Sequence, residues 1–451
     1  LLPCSNSGTG SAYGMLRTLN SHVRNVVRPS LAAAQSPPTH LPQVYLPPRR
    51  AGPAMSSRGF NSTFGGLPTT IFELMSQLAA RHGSINLGQG FPDNELEGPA
   101  SMKEAAYQSM LHDSNQYPPM VGVPELRQAL AEHSERYTGL PLDWQSQVLI
   151  TSGATEALAA AFLGLLEPGD EVVVFAPLYD SYIPIIRRAG AVPVVVQLRA
   201  PDWSFDAAEL ATAFNAKTKL IVVNTPHNPS GKVFSRAELE TIASLVQEHD
   251  AYAALDEVYE HLVYPGYEHV SLRTLPGMAE RSIRIGSAGK TFSFTAWKVG
   301  WVTGPAPMVQ AAAKAHQFLT FTVPAALQRA VARGLREERS FYEGLGPMFL
   351  KKREWLAAKL TAIGFKVLPG QGTYFLTTDF SGLLPENSTE EDVEFCSRLT
   401  TEGGITLIPV SAFYEDRTTA PKRLVRFVIC KTDAKLQAAV EKLEAYFSKR
   451  S

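Results

Sequence analysis

The chain has 451 residues, 45% hydrophobic and 19% charged, which is apolar surface enough for two globular domains of ordinary size and excludes a disordered or fibrous protein. Its 42 basic and 43 acidic residues nearly cancel, and nothing in that balance suggests a nucleic-acid partner. Three cysteines, Cys4, Cys396 and Cys430, draw neither a disulfide framework nor a zinc spacing, so no metal is expected; the longest apolar stretches, such as residues 157–166, fall far short of the roughly twenty residues that cross a bilayer, so no membrane partner is expected.

The charge is unevenly placed. No acidic residue precedes Glu73, whereas Arg17, Arg24, Arg28, Arg49, Arg50 and Arg58 do; without those six of the 42, 36 basic residues face 43 acidic ones. Residues 1–60, rich in Ser, Pro, Ala and Arg, have the composition of a transit peptide for a mitochondrion or plastid; a disordered leader on a cytoplasmic protein has the same composition.

In chain order, apolar residues at Ile71, Leu74, Met75, Leu78 and Ala79 predict a helix over 69–82 that stops before Gly83. A second helix is expected over 124–137. Short β-branched runs then alternate with amphipathic stretches: 148–150, 172–175, 192–196, 220–223, 251–255, 283–285 and 299–302. That alternation predicts βαβ units and a buried parallel sheet. Beyond residues 318–324 a charged helix over 348–363 leads into strands at 365–368, 374–379, 405–409 and 424–429, the pattern of a smaller α+β domain.

Polar signals cluster where the runs end, the place where open α/β sheets bind ligands. Thr151-Ser152-Gly153-Ala154-Thr155-Glu156 opens a helix whose amides and Thr155 hydroxyl suit a phosphate, although a plain helix cap reads the same way. The run ending at Val223 enters Asn224-Thr225-Pro226-His227-Asn228-Pro229, which is an amide held at a strand tip or simply a turn. The run ending at Leu255 delivers Asp256, by default a cap, and then Tyr259. Ser287-Ala288-Gly289-Lys290-Thr291-Phe292-Ser293 and Trp297-Lys298-Val299-Gly300-Trp301 complete the series; taken singly, Lys290 reads as a solvated lysine.

In this order, and with Ile85-Asn86-Leu87-Gly88-Gln89-Gly90-Phe91-Pro92-Asp93 and Asp256-Glu257-Val258-Tyr259 among them, the segments resemble the fold-type I aminotransferases of class I and II. The likeness is to the kynurenine aminotransferase/glutamine transaminase K branch and to bacterial methionine aminotransferases, over about residues 67–447. It implies an α/β fold with a mostly parallel seven-stranded sheet between helices and a smaller α+β domain. The implied organisation is an N-terminal arm and first part of the small domain over 61–100, a large cofactor-binding domain over 101–335 and the rest of the small domain over 336–451.

The resemblance further implies pyridoxal 5'-phosphate as cofactor. Lys290 then joins its aldehyde, Asp256 meets the pyridine nitrogen, and Asn228 and Tyr259 hold the phenolic oxygen. Ala154, Thr155, Ser287 and Lys298 match the phosphate cup, Tyr179 the aromatic ring on the cofactor face, and Tyr117 a residue that reaches the neighbouring subunit's phosphate, so a homodimer with shared sites is expected. Arg426, with Gly90 and Asn228 beside it, matches the grip on the substrate carboxylate, a task that suits a planar two-pronged guanidinium. Ala176-Pro177 and Asn228-Pro229 are expected to be cis.

Amino acids and 2-oxo acids are the implied substrates. Thr322 stands where kynurenine enzymes carry histidine and methionine-type members a small hydroxyl residue, which tilts the expected amino donors towards methionine, aromatic residues and glutamine, with kynurenine retained. Two readings of other kinds stay open: a β-lyase for cysteine S-conjugates using the same lysine, and a non-catalytic binding protein on the same fold.

Overall fold

The computed structural model describes residues 61–449, so the expected leader lies outside the described residues. The first helix is Ile71–His82: Thr70 caps it by accepting from the Glu73 amide, and Gly83 closes it in the left-handed conformation. The second, Pro124–Thr138, has proline in its first turn, where the missing N–H would have had no partner anyway.

Seven strands build the main sheet: β1 (Val148–Thr151), β2 (Glu171–Ala176), β3 (Val192–Gln197), β4 (Thr218–Asn224), β5 (Tyr252–Asp256), β6 (Ser282–Ser287) and β7 (Gly300–Thr303). Their order is β1-β7-β6-β5-β4-β2-β3. Central strands such as β2 and β5 are buried on both faces, which is why they read as continuous apolar runs rather than alternating ones. Strands β3, β2, β4, β5 and β6 pair in parallel, while β7 is antiparallel to both β1 and β6. The run at 299–302 thus departs from the βαβ pattern. Its link to β6 holds only two single-turn helices, Ala288–Thr291 and the tighter Thr295–Trp297, too little for a parallel crossover, and the chain returns alongside.

That order decides where polar residues gather. Parallel strands deliver their C-terminal residues to one edge, where Asn224 of β4 and Asp256 of β5 lie in register. Because β7 enters from the opposite direction, its first residue, Gly300, pairs with both Thr151 and Ser287. Lys298 is brought to the same edge. Gly300 is required there, since a Cβ would meet the Gly153 backbone carbon at 2.5 Å.

After helix Leu345–Ile363, a second sheet is built from β8 (Lys366–Val367), β9 (Phe375–Asp379), β10 (Ile408–Pro409) and β11 (Leu424–Val428), antiparallel in the order β10-β11-β9-β8. The expected single strand at 405–409 is two. Ile405–Thr406 pairs in parallel with Ile85–Asn86, Ile408–Pro409 pairs with β11, and the fully buried Leu407 lies between them. The first pairing carries residues 87–90 beside β11, where the Val428 amide donates to the Leu87 carbonyl at 2.8 Å. No helix among the described residues is long and apolar enough to cross a membrane.

Candidate active site

A cavity of about 400 Å³ opens at the C-terminal edge of the main sheet. Gly90, Ala154, Thr155, Tyr179, Asn228, Asp256, Tyr259, Ser287, Lys290, Lys298 and Arg426 all line it. Tyr117 does not: its side chain is 81% exposed and meets the Phe321 ring edge-on at 5.4 Å.

Asp256 stands at the tip of β5, 5% exposed. Its Oδ2 accepts a hydrogen bond from the Tyr182 hydroxyl at 2.5 Å, and its Oδ1 is buried without a partner. Burial pushes the carboxyl up to about 6, opposed by the Tyr182 hydrogen bond and the Lys290 charge. Burial and the adjacent carboxylate hold the Tyr182 phenol well above its ordinary value, so it remains the donor. Glu257 and Glu260 instead join a buried ionic cluster: both pair with Arg284, and His269 lies 3.3 Å from Glu257. The motif therefore sends Asp256 and Tyr259 to the cavity, and Glu257 with the following Glu260 away from it.

Lys290 sits on the one-turn helix after β6, and its Nζ donates to the Tyr374 hydroxyl at 2.9 Å. Burial lowers its ammonium to about 8, assisted by the positive charges of Arg426 and Lys298 and opposed by Cys430 and Asp256. A useful fraction is thus neutral near working pH, as a base or nucleophile requires.

Helix Gly153–Leu165 points its N-terminal amides at the cavity from Gly153, Ala154 and Thr155. Gly153 adopts a φ of +75°, and a Cβ there would meet the Lys298 Nζ at 3.0 Å, so the backbone turns close beneath that ammonium. The Thr155 hydroxyl lies 3.3 Å from the Tyr179 hydroxyl. Amides, hydroxyls and one ammonium at a helix start form an anion cradle.

Arg426 is 2% exposed, and its guanidinium lies 4.3 Å from the Phe375 ring centre and 4.9 Å from that of Phe413. Nη1 donates to Asn228 Oδ1 at 2.8 Å and Nη2 to the Gly88 carbonyl at 2.7 Å, while Nε is buried without a partner. Burial lowers its proton affinity, to about 10, which still leaves it charged at neutral pH. Asn228 is held in turn through its backbone N–H, which donates to Asn224 Oδ1, and Asn224 Nδ2 donates to the Asp256 carbonyl.

Sequence reasoning missed Tyr182, Asn224, Tyr374 and Phe375 as parts of the site, together with Thr70 and Asp180 on its wall. Asn224 stood inside a stretch already singled out, but the partner it shares with Tyr182, Asp256, is adjacent only once the sheet forms. Both expected cis bonds, Ala176-Pro177 and Asn228-Pro229, are cis, as are Thr225-Pro226 and Ala200-Pro201.

These residues fit pyridoxal phosphate. The unpartnered Oδ1 of Asp256 suits a ring N–H, the cradle suits a phosphate, and the lysine of lowered proton affinity between them suits an aldehyde.

The sequence pattern of the family described as aminotransferase class I and II matches residues 83–443. Among relatives, a probable N-succinyldiaminopimelate aminotransferase of Mycobacterium tuberculosis is 43% identical, covering 83% of this chain and 95% of its own. Kynurenine–oxoglutarate transaminase 3 of Mus musculus is 38% identical, covering 86% and 90%. A crystal structure from Escherichia coli, described as identifying a methionine aminotransferase function, superposes with a TM-score of 0.81 at 40% identity, covering 85% of this chain and 99% of that one. The chain belongs to the class I and II aminotransferases, enzymes that use pyridoxal phosphate.

Proposed function

We propose that this aminotransferase moves the amino group of methionine, aromatic amino acids, glutamine or kynurenine to a 2-oxo acid. The observation that carries this reading is the make-up of the cavity wall. Arg426 is the one arginine among the described residues that line it, and Phe72, Tyr179 and Phe375 stand on the wall with the carboxylate of Asp180. One guanidinium serves one carboxylate, and the remaining wall suits an uncharged or aromatic side chain better than a second acid. The relatives named for methionine and kynurenine transamination support it as well.

When bound, pyridoxal phosphate supplies an electron sink for the substrate α-carbon. Asp256 would offer its buried carboxylate to the ring nitrogen and favour its protonated form, and Tyr259 and Asn228 on the same wall would serve the phenolic oxygen. Ala154, Thr155, Ser287 and Lys298 hold the phosphate. Arg426 grips the substrate carboxylate, with Gly90 and Asn228 beside it, and so fixes the α-carbon relative to Lys290. Lys290 would hold the cofactor through Nζ, and the freed Nζ would be the group that takes up and hands back the substrate α-proton.

Tyr117 completes the phosphate cup of a second copy in a homodimer; its exposure on the single chain supports this. The leader's composition supports delivery to a mitochondrion or plastid, which a fluorescent fusion of residues 1–60 would test by its location.

The substrate reading is tested by a panel of amino donors, each with and without a 2-oxo acid acceptor. Amino transfer requires the acceptor. Ammonia and pyruvate released from cysteine S-conjugates without one would mark a β-lyase instead, and absence of turnover from every donor would overturn the reading.

A further inference from the structure

We infer that Tyr374 is a positioning residue for Lys290: its hydroxyl, fixed by the Gly90 carbonyl, holds the released amine with its lone pair free to take the substrate proton. The inference rests on the reading of Lys290 as the group that moves that proton, and it adds a residue outside the implied cofactor set.

The hydroxyl makes two hydrogen bonds of fixed direction. It accepts from Lys290 Nζ at 2.9 Å and donates to the Gly90 carbonyl at 2.8 Å, with the Tyr259 hydroxyl as a second acceptor for the same proton. A carbonyl cannot donate, so the second bond decides the polarity of the first. A tyrosine free to rotate could donate to a neutral amine and occupy the lone pair that must accept the α-proton. Tied to Gly90, it can only accept, and the lone pair stays available.

The ring is held as firmly as the hydroxyl. Tyr374 is 2% exposed and packs edge-on against Tyr259 at 5.5 Å and Phe349 at 5.8 Å. Thr373, just before it, has a φ of +67°, rare for a β-branched residue. The Thr373 amide donates to the Leu262 carbonyl at 2.6 Å, and its carbonyl accepts from the Tyr264 hydroxyl at 3.0 Å. Strained backbone held on both sides is a feature of sites that must aim a side chain. The contact also links Lys290 to residue 90, beside the proposed carboxylate grip.

The test compares Tyr374→Phe and 3-fluorotyrosine at position 374 with the wild type, using the full-length chain. Four quantities are read: kcat and KM, the isotope effect of α-deuterated donor, cofactor retention with thermal melting, and the pH dependence of Lys290 acylation in cofactor-free protein, followed by mass spectrometry. Tyr374→Phe is expected to lower kcat about tenfold or more with KM changed by less than about threefold, and to enlarge the isotope effect. The acylation midpoint moves to lower pH, because a hydrogen bond accepted from nitrogen favours the ammonium over the amine. Fluorotyrosine keeps the shape but weakens the acceptor, and shifts the midpoint in the same direction.

Wild-type kcat and an unmoved midpoint in either variant would overturn the inference. So would a fall in kcat accompanied only by cofactor loss and a lower melting temperature. If Lys290→Ala itself transfers amino groups normally, the reading of Lys290 fails; if Lys290 is essential and both Tyr374 variants are silent, only the role of Tyr374 fails.

Discussion

Arg426 Nη1 and Asn228 Oδ1 meet at 2.8 Å across 198 residues of sequence, joining β11 of the small sheet to the loop that follows β4 of the large one. The bond fixes the guanidinium plane, and the buried, unpartnered Nε leaves a donor for an incoming carboxylate.

A lysine at position 426 keeps the charge and loses the fork. Arg426→Lys is expected to cost about 2 kcal/mol of substrate binding, about thirtyfold in kcat/KM, since charge-assisted hydrogen bonds contribute of that order. Steady-state kinetics with methionine check it, and the absorbance of bound cofactor stays as in the wild type.

Asp256→Asn removes the carboxylate that favours a protonated ring nitrogen. Turnover is expected to fall by about ten- to a thousandfold, the weight of one to three pK units for an adjacent opposite charge. Cofactor-free protein behaves in the opposite sense. The folded carboxyl is raised from 3.8 to about 6, so its contribution to stability is present below the unfolded value and lost as pH rises through 6. Urea titrations of the cofactor-free variant should therefore gain on the wild type between those pH values.

How much of this was legible before folding differs from residue to residue. Lys290, Asp256 and Asn228 each read blandly alone and stand out only as a series in a fixed order, each shortly after an apolar run whose tip a parallel sheet sends to one edge. Lys298 reaches that edge only because β7 runs antiparallel, a reversal set by the short link 288–299 rather than by the run itself. The run 405–409 looks like one strand since local pattern records burial, not pairing partner; its two halves belong to different sheets. Tyr182 and Tyr374 lie 74 and 84 residues from the groups they touch, and a tyrosine in an apolar stretch reads as core.

Lys290 carries a pH signature in the cofactor-free protein. Its folded value is lowered from 10.5 to about 8, so its contribution is present above the unfolded value and lost as pH falls through 8. Wild-type stability should rise between pH 8 and 10.5, and Lys290→Met should lack that slope. Below pH 8 the variant should be the more stable by on the order of 1–3 kcal/mol, the cost of an uncompensated buried polar group. Parallel stability curves for the two proteins would contradict the assignment.

The exposed Tyr117 and the 85% exposed Phe318 call for a covering surface in the proposed dimer. Light scattering should give the mass of two chains. Mixing Lys290→Ala with Tyr117→Ala chains under exchange conditions should restore activity above that of either parent, because one site of the hybrid draws both residues from intact copies. A fully active monomer would contradict the shared site.

Lys290 is the residue proposed to hold the cofactor. Borohydride reduction of the loaded enzyme, followed by digestion and peptide mass spectrometry, should place the pyridoxyl group on Lys290 and leave Lys298 unmodified. Its appearance on Lys298 or another lysine, or on none, would contradict the account.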